Sequence, residues 1–243
     1  MRQLSVTTVS AAVLDPLLRS DPAGPRITYY DDATGERIEL STATLANWAA
    51  KTGNLLRDEL GAGPHSRVAV LLPAHWQTAA VLFGIWWIGA EVLIGGAEAD
   101  LAFCTADRLD QADAAVGPAG EVIALSLDPF GRPVADLPVG VTDYATSVRV
   151  HGDQIAAEPR PGPALDGMSV DDVVAAARNA GVAKGFTGAD RVLSTARWDT
   201  AEELVDNMLS VFAAGASLVQ VANPDAAAMQ RRRETEKVAR DIG

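Results

Sequence analysis

Cysteine is nearly absent: one residue, Cys104, in 243. An internal disulfide is excluded, and the composition fits a reducing compartment. Cys104 lies in the apolar run Leu101-Ala102-Phe103-Cys104, where a buried structural thiol is expected rather than a nucleophile. Histidine is almost as scarce, with only His65, His75 and His151. None stands within a helical turn of another His, a Cys or a carboxylate pair at metal-ligand spacing, and no Gly-x-Ser-x-Gly elbow occurs. Neither a metal site nor a serine nucleophile is expected. Positive charge is also short, with 20 Lys and Arg against 32 Asp and Glu and a net charge of −12. Such a chain repels phosphate backbones and anionic lipid, so no nucleic-acid or membrane-surface role is expected. The one basic run, Arg231-Arg232-Arg233, is followed by Glu234, Glu236 and Asp241 and reads as a solvated helix face.

Long uncharged stretches are limited to one. Ala79 to Ala97 holds a single charge, Glu91, in nineteen residues. Gly84, Gly89, Gly95 and Gly96 divide it, and no Lys or Arg cluster flanks it, so a buried helix followed by a strand is expected rather than a membrane span. Val6 to Leu18 is interrupted by Ser10, Asp15 and Pro16, which leaves no signal peptide in view and implies a cytoplasmic protein.

What is present is ordinary globular composition, 48% apolar and 21% charged, enough for one compact α/β domain over residues 1–243. Helical spacing runs from Thr7 to Arg19. Arg26–Tyr30 and Arg37–Leu40 flank Asp32-Ala33-Thr34-Gly35 as a hairpin. Ser41 or Thr42 caps a long helix that stops at Gly61-Ala62-Gly63-Pro64. Arg67–Leu72, Trp76–Ile88 and Ala90–Ile94 then read as strand, helix, strand, which implies a parallel sheet. The same grammar returns later: Ser169 caps a helix, Arg191–Thr195 is a strand, Ala201–Ala214 a helix and Ser217–Ala222 a strand. In both copies Arg-Val opens the strand and Gly-Ala precedes its return. Residues 101–166 are harder to parse, with one strand expected at Val122–Leu127 and a short helix at Thr142–Val148. Pro159, Pro161 and Pro163 make 158–163 an extended linker between two similar αβαβ units, residues 1–157 and 164–243. A helix over Asp225–Arg240 closes the chain.

The run Ile27-Thr28-Tyr29-Tyr30, then Thr44-Leu45-Ala46-Asn47-Trp48-Ala49, then Gly63-Pro64-His65-Ser66-Arg67-Val68-Ala69-Val70-Leu71-Leu72-Pro73 resembles the start of acyl-CoA synthetases and other adenylate-forming, AMP-binding enzymes. Gly188-Ala189-Asp190-Arg191-Val192 through Gly215-Ala216-Ser217 looks like the segment just after that family's phosphate loop. The resemblance implies a Ser/Thr/Gly-rich loop ending in lysine before Ser169, where backbone amides and a cation would neutralise ATP phosphates. Here the interval is Pro163-Ala164-Leu165-Asp166-Gly167-Met168, without lysine and with an acidic group. The family's later motifs and lysine-bearing C-terminal domain correspond to positions beyond Gly243. Its aromatic-plus-histidine acyl-pocket segment corresponds to Ala196-Arg197-Trp198-Asp199-Thr200, in which the aromatic is kept and the histidine is not. Gly181 to Gly188 around Lys184 has the wrong order for a P-loop and reads as a helix cap.

The expectation is therefore a non-catalytic protein of this fold with a binding, regulatory or interaction role and no ATP or AMP cofactor. The alternative is a subunit of an acyl-adenylating or acyl-CoA ligase assembly whose missing motifs come from a partner. Trp198, Asp199 and Thr200 are the candidate pocket, because ligands of open α/β sheets sit past the carboxyl ends of strands. An apolar stripe of Trp76, Phe83, Trp86 and Trp87, with Leu204, Met208 and Phe212 on the counterpart helix, would be left facing water. A homodimer or a partner protein is expected to cover it.

Overall fold

The computed structural model describes residues 7–96 and 98–242. Thr8 caps the first helix by accepting the Ala11 amide, and α1 runs Val9–Ser20 with Val9, Val13, Leu14 and Leu17 turned inward. β1 (Pro25–Asp31) and β2 (Glu36–Ser41) form the antiparallel hairpin. Ser41 caps α2 (Thr42–Asn54), which ends in a π-helical turn. β3 (Arg67–Leu71), α3 (Trp76–Trp87) and β4 (Glu91–Ile94) follow, with β3 and β4 parallel.

The stretch that periodicity left open holds β5 (Leu101–Thr105), α4 (Leu109–Val116), β6 (Glu121–Leu125), β7 (Val141–Asp143) and α5 (Tyr144–Ser147). Cys104 lies on β5 between β3 and β6, and burial pushes its thiol up to about 11. Next come α6 (Val170–Ala183), β8 (Arg191–Ser194), α7 (Ala201–Leu204), a π-helical turn, α8 (Ser210–Ala213) and β9 (Ser217–Ala222). The last helix is shorter than its spacing suggested. α9 (Ala226–Thr235) ends before Lys237, whose φ of 52° leaves the helical region, and Arg240–Ile242 become β10 beside β8.

Two five-stranded sheets result, in the orders β4-β3-β5-β6-β7 and β10-β8-β9-β1-β2. The first is parallel throughout, and the second is parallel apart from the hairpin. Sheet membership thus differs from the sequential halves: β1, early in the chain, pairs with β9 across the segment 158–163. β1 is buried on both faces, with Ile27 and Tyr29 packed on one side and Tyr30 on the other, and its edges are taken by β2 and β9. Segment 158–163 bends at Pro159 and Arg160 and is fastened, since the Glu158 amide donates to Trp87 O at 3.0 Å and the Gly162 amide to Gly89 O at 2.9 Å.

The layers follow from strand alternation. Val68 and Val70 of one sheet and Ile27, Val192 and Leu218 of the other join one core with α1, α2, α3 and α8. Ala69, Leu71 and Cys104 face the opposite way, against α4. Leu193, Val219 and Val221 face α9. All twelve residues of α3 are buried, which explains why the chain could leave that stretch uncharged. No helix among the described residues is long and apolar enough to cross a membrane.

Burial of α3 corrects the exposed-stripe expectation. Trp76, Phe83, Trp86, Trp87, Leu204, Met208 and Phe212 are all interior. The Phe83 and Phe212 rings meet at 5.9 Å, and Trp86 Nε1 donates to Ala164 O at 2.7 Å. Arg232 is likewise buried rather than solvated, pairing with Asp32 and lying over the Tyr30 ring at 4.2 Å. It anchors α9 across the outer face of the second sheet, where Met229 and Val238 pack.

Candidate functional site

In the first sheet the chain leaves β3 for β4 on one side and returns to β5 on the other. The strand order reverses at β3, the place where open α/β sheets form a crevice. A cleft of about 440 Å³ opens there, within the range of small-molecule sites. Leu72, Ile94 and Thr105 line it from the ends of β3, β4 and β5, and the loop after β8 closes it with Arg197, Trp198 and Asp199.

That loop is held from beneath. Ser194 Oγ accepts the Ala196 amide, Gln220 Nε2 donates to Ala196 O at 3.0 Å, and Asn207 Nδ2 donates to Arg197 O at 3.1 Å. Trp198 is 2% exposed, and its Nε1 has no hydrogen-bond partner. Of the three sequence candidates, Trp198 and Asp199 line the cleft. Thr200 does not; its hydroxyl caps α7 by accepting the Glu203 amide at 3.1 Å. Asp107 and Arg108, which sequence reasoning missed, complete the wall. Their signal was an apolar run, Leu101 to Cys104, giving way to Thr-Ala-Asp-Arg, as at the carboxyl end of a buried strand. The lining carries two aspartates and two arginines; Arg197 pairs with Asp199, while Arg108 Nε donates to Gln111 at 3.0 Å.

The interval compared above with a phosphate loop is a tight turn. Asp166 and Gly167 have φ of 42° and 83°, the double positive that an Asp-Gly pair supports. The Met168 amide donates to Leu165 O at 2.8 Å, and the Ala164 amide to Met168 O at 2.7 Å. The turn docks on the edge of β4, where the Asp166 amide donates to Val92 O at 3.0 Å and the Gly167 amide to Glu91 Oε1 at 2.6 Å. Asp166 accepts the Ile94 amide, while burial and the neighbouring Glu91 push its carboxyl above the usual range. The turn's amides are therefore engaged, and two carboxyl groups, Glu91 and Asp166, stand beside them.

Elsewhere the sequence candidates have local partners. Lys184 caps α6 and its Nζ lies 3.3 Å from Asp206. His151 Nε2 lies 3.0 Å from Glu59. Among the described residues no group of three or more His, Cys, Asp or Glu could hold a metal ion.

No family model matches the chain. Solved structures show the fold. An acyl-CoA synthetase of Brucella canis superposes with a TM-score of 0.78 at 17% identity, over 96% of this chain and 46% of that one. A fatty acyl CoA synthetase of Mycobacterium tuberculosis gives 0.70 at 16% identity, over 96% and 48%. The chain thus spans about half the length of these synthetases and has the fold of their N-terminal part. One curated relative, a TIGR03089 family protein of Mycobacterium tuberculosis (strain ATCC 25618 / H37Rv), is 69% identical over 237 residues, covering 96% of this chain and 98% of the relative. At that identity and coverage the chain belongs to the TIGR03089 family.

Proposed function

We propose that this protein is a non-catalytic relative of the adenylate-forming fold that holds a small ligand in the cleft beside Trp198 and does not activate a carboxylate through ATP. The observation that supports this reading most is the turn at residues 165–168. Its Asp166 and Gly167 amides are spent on Val92 O and Glu91 Oε1, and transition-state stabilisation of a phosphoryl group needs such donors free and aimed outward. Glu91 and Asp166 add acidic groups at the same place, which disfavours a polyanion. The cleft itself, lined by Asp107, Arg108, Arg197 and Asp199 beside Leu72 and Ile94, suits a small polar molecule that is neutral or zwitterionic.

The test is carboxylate-dependent exchange of pyrophosphate into ATP by the full chain, together with the thermal shift produced by millimolar ATP and magnesium. No exchange with any of a panel of aliphatic and aromatic carboxylates, and no shift, are the expected results. Exchange above background with a single carboxylate would overturn the reading.

A further inference from the structure

Aromatic side chains are few, five Trp, three Tyr and five Phe, yet four of them meet around one space away from the Trp198 cleft. Trp48 of α2, Trp76 at the start of α3, Tyr144 of α5 and Phe130 of the loop after β6 line a slot of about 140 Å³. Trp76 and Tyr144 are buried, and the rings of Trp48 and Trp76 lie 5.8 Å apart at 66°, an edge-to-face contact that favours a further aromatic partner of the same kind.

The polar groups beside the slot are engaged with one another. Tyr144 Oη and Thr52 Oγ1 share a hydrogen bond at 2.7 Å, and burial pushes the phenol up, which keeps it neutral. Gln77 Nε2 donates to Asp128 O at 3.1 Å, and Arg149 Nη2 donates to Phe130 O at 3.2 Å and to Gly131 O. Asp128 Oδ1 in turn accepts the Phe130 amide at 2.8 Å. The loop is thus held in place from both sides, with Phe130 at the rim and 78% exposed, unusual for a large apolar side chain.

Size and charge select the occupant. An apolar cavity of about 150 Å³ accepts one benzene ring, and this slot is close to that size. Among the described residues the one charged side chain lining it is Arg149. A quaternary ammonium would meet a like charge there, and a carboxylate would compete with the loop carbonyls that the guanidinium already holds. We propose that the slot binds a small neutral molecule of one aromatic ring, seated between Trp48, Trp76, Tyr144 and Phe130. Such binding goes beyond the function proposed above and needs neither the Trp198 cleft nor any adenylation chemistry.

Fluorescence titration of the full chain with iodobenzene tests it, because a heavy atom quenches the indoles it touches and Trp86, Trp87 and Trp198 do not line the slot. Saturable quenching is expected, reduced in Trp48→Phe and reversed by toluene. Phe130→Ala, at an exposed position, should weaken binding about three- to tenfold, the effect of one aromatic pair. Ala145→Phe, which fills the slot from α5, should abolish it. Benzoate and tetramethylammonium should compete at least about tenfold more weakly than toluene. Amide shifts in ¹⁵N-labelled protein on adding toluene should fall on residues 129–131 and 144–149. Absent or unsaturable quenching, undiminished quenching in Trp48→Phe, unchanged affinity in a folded Ala145→Phe, tighter binding of tetramethylammonium than of toluene, or shifts confined to residues 197–199 would each overturn the proposal. The ligand panel on the unmodified chain stands even if Ala145→Phe fails to fold.

Discussion

At Gly84 two helices pass too closely for a methyl group. A Cβ there would lie 2.7 Å from the Thr52 Cβ and 2.8 Å from Ala49 O, both on α2. Neither neighbour is the far end of a flexible side chain, so the helices must move apart. Gly84→Ala is expected to cost about 2 kcal/mol in urea denaturation, as overpacking of a close-packed core does. Gly63 provides the contrast, because nothing lies within 4 Å of its Cβ position and its φ is not positive. Gly63→Ala should be neutral or stabilising by up to about 1 kcal/mol, through a less flexible unfolded chain. Equal effects at the two sites would refute the packing account. Gly84 alone was not legible in the sequence as a contact point; it appeared only as a break in an apolar run, because the helix that crosses it lies some thirty residues earlier.

The two strand-helix-strand units end their helices with the same pair of hydrogen bonds. Gly89 donates to Trp86 O and Ala90 to Ile85 O, as Gly215 donates to Phe212 O and Ala216 to Val211 O. Both glycines have positive φ, 74° and 85°, which is why a Gly-Ala pair recurs where each helix turns back to its strand. Registers agree as well, with Arg67 opposite Glu91 and Arg191 opposite Ser217. The likeness extends one strand further: β5 flanks β3 as β10 flanks β8. The end of α9, just before that last strand, is held by Glu236, which accepts from Tyr30, Arg37 and Arg191. Burial pushes the Glu236 carboxyl up, but these three donors outweigh it and hold it below its ordinary range. A carboxyl with a depressed folded pKa stabilises above its unfolded value, about 4.3, and loses that stabilisation as pH falls through the folded value. Glu236→Gln should therefore cost about 2 kcal/mol at pH 7. The two urea midpoints should converge as pH is lowered from 5 to 3. A gap that stays constant over that range would show that the charge is not what matters.

At the scale of the molecule, the two sheets share one core through α1, α2, α3 and α8, with α4 and α9 covering the outer faces. Neither sheet has a separate inner core to fall back on. Urea unfolding followed by tryptophan fluorescence and by far-ultraviolet circular dichroism should give coincident single transitions. Two separated transitions would mean that the sheets unfold as independent bodies. Among the described residues the exposed large apolar side chains are Phe130, Val139, Val150 and Val182, which belong to different loops and helix ends. The seven side chains from which self-association was inferred lie inside, so any dimer of this chain must use another surface.

What the sequence determined by itself is local in origin. Turn residues marked the hairpin, continuous apolar runs and helical spacing marked both strand-helix-strand units, and Ser41 and Ser169 marked helix starts. Trp198 and Asp199 were visible as a position past a strand end. Only the tertiary structure decided which strands share a sheet, because hydrogen bonding between β1 and β9 joins residues about 190 apart and no local pattern encodes that choice. The same holds for β10, three residues whose strand character comes from pairing with β8 rather than from their own composition. It holds too for Glu36 and His75, brought to 3.9 Å from separate elements. Distances of that kind depend on how two layers pack, and packing is fixed by the sum of contacts across the core, not by the order of residues along any one segment.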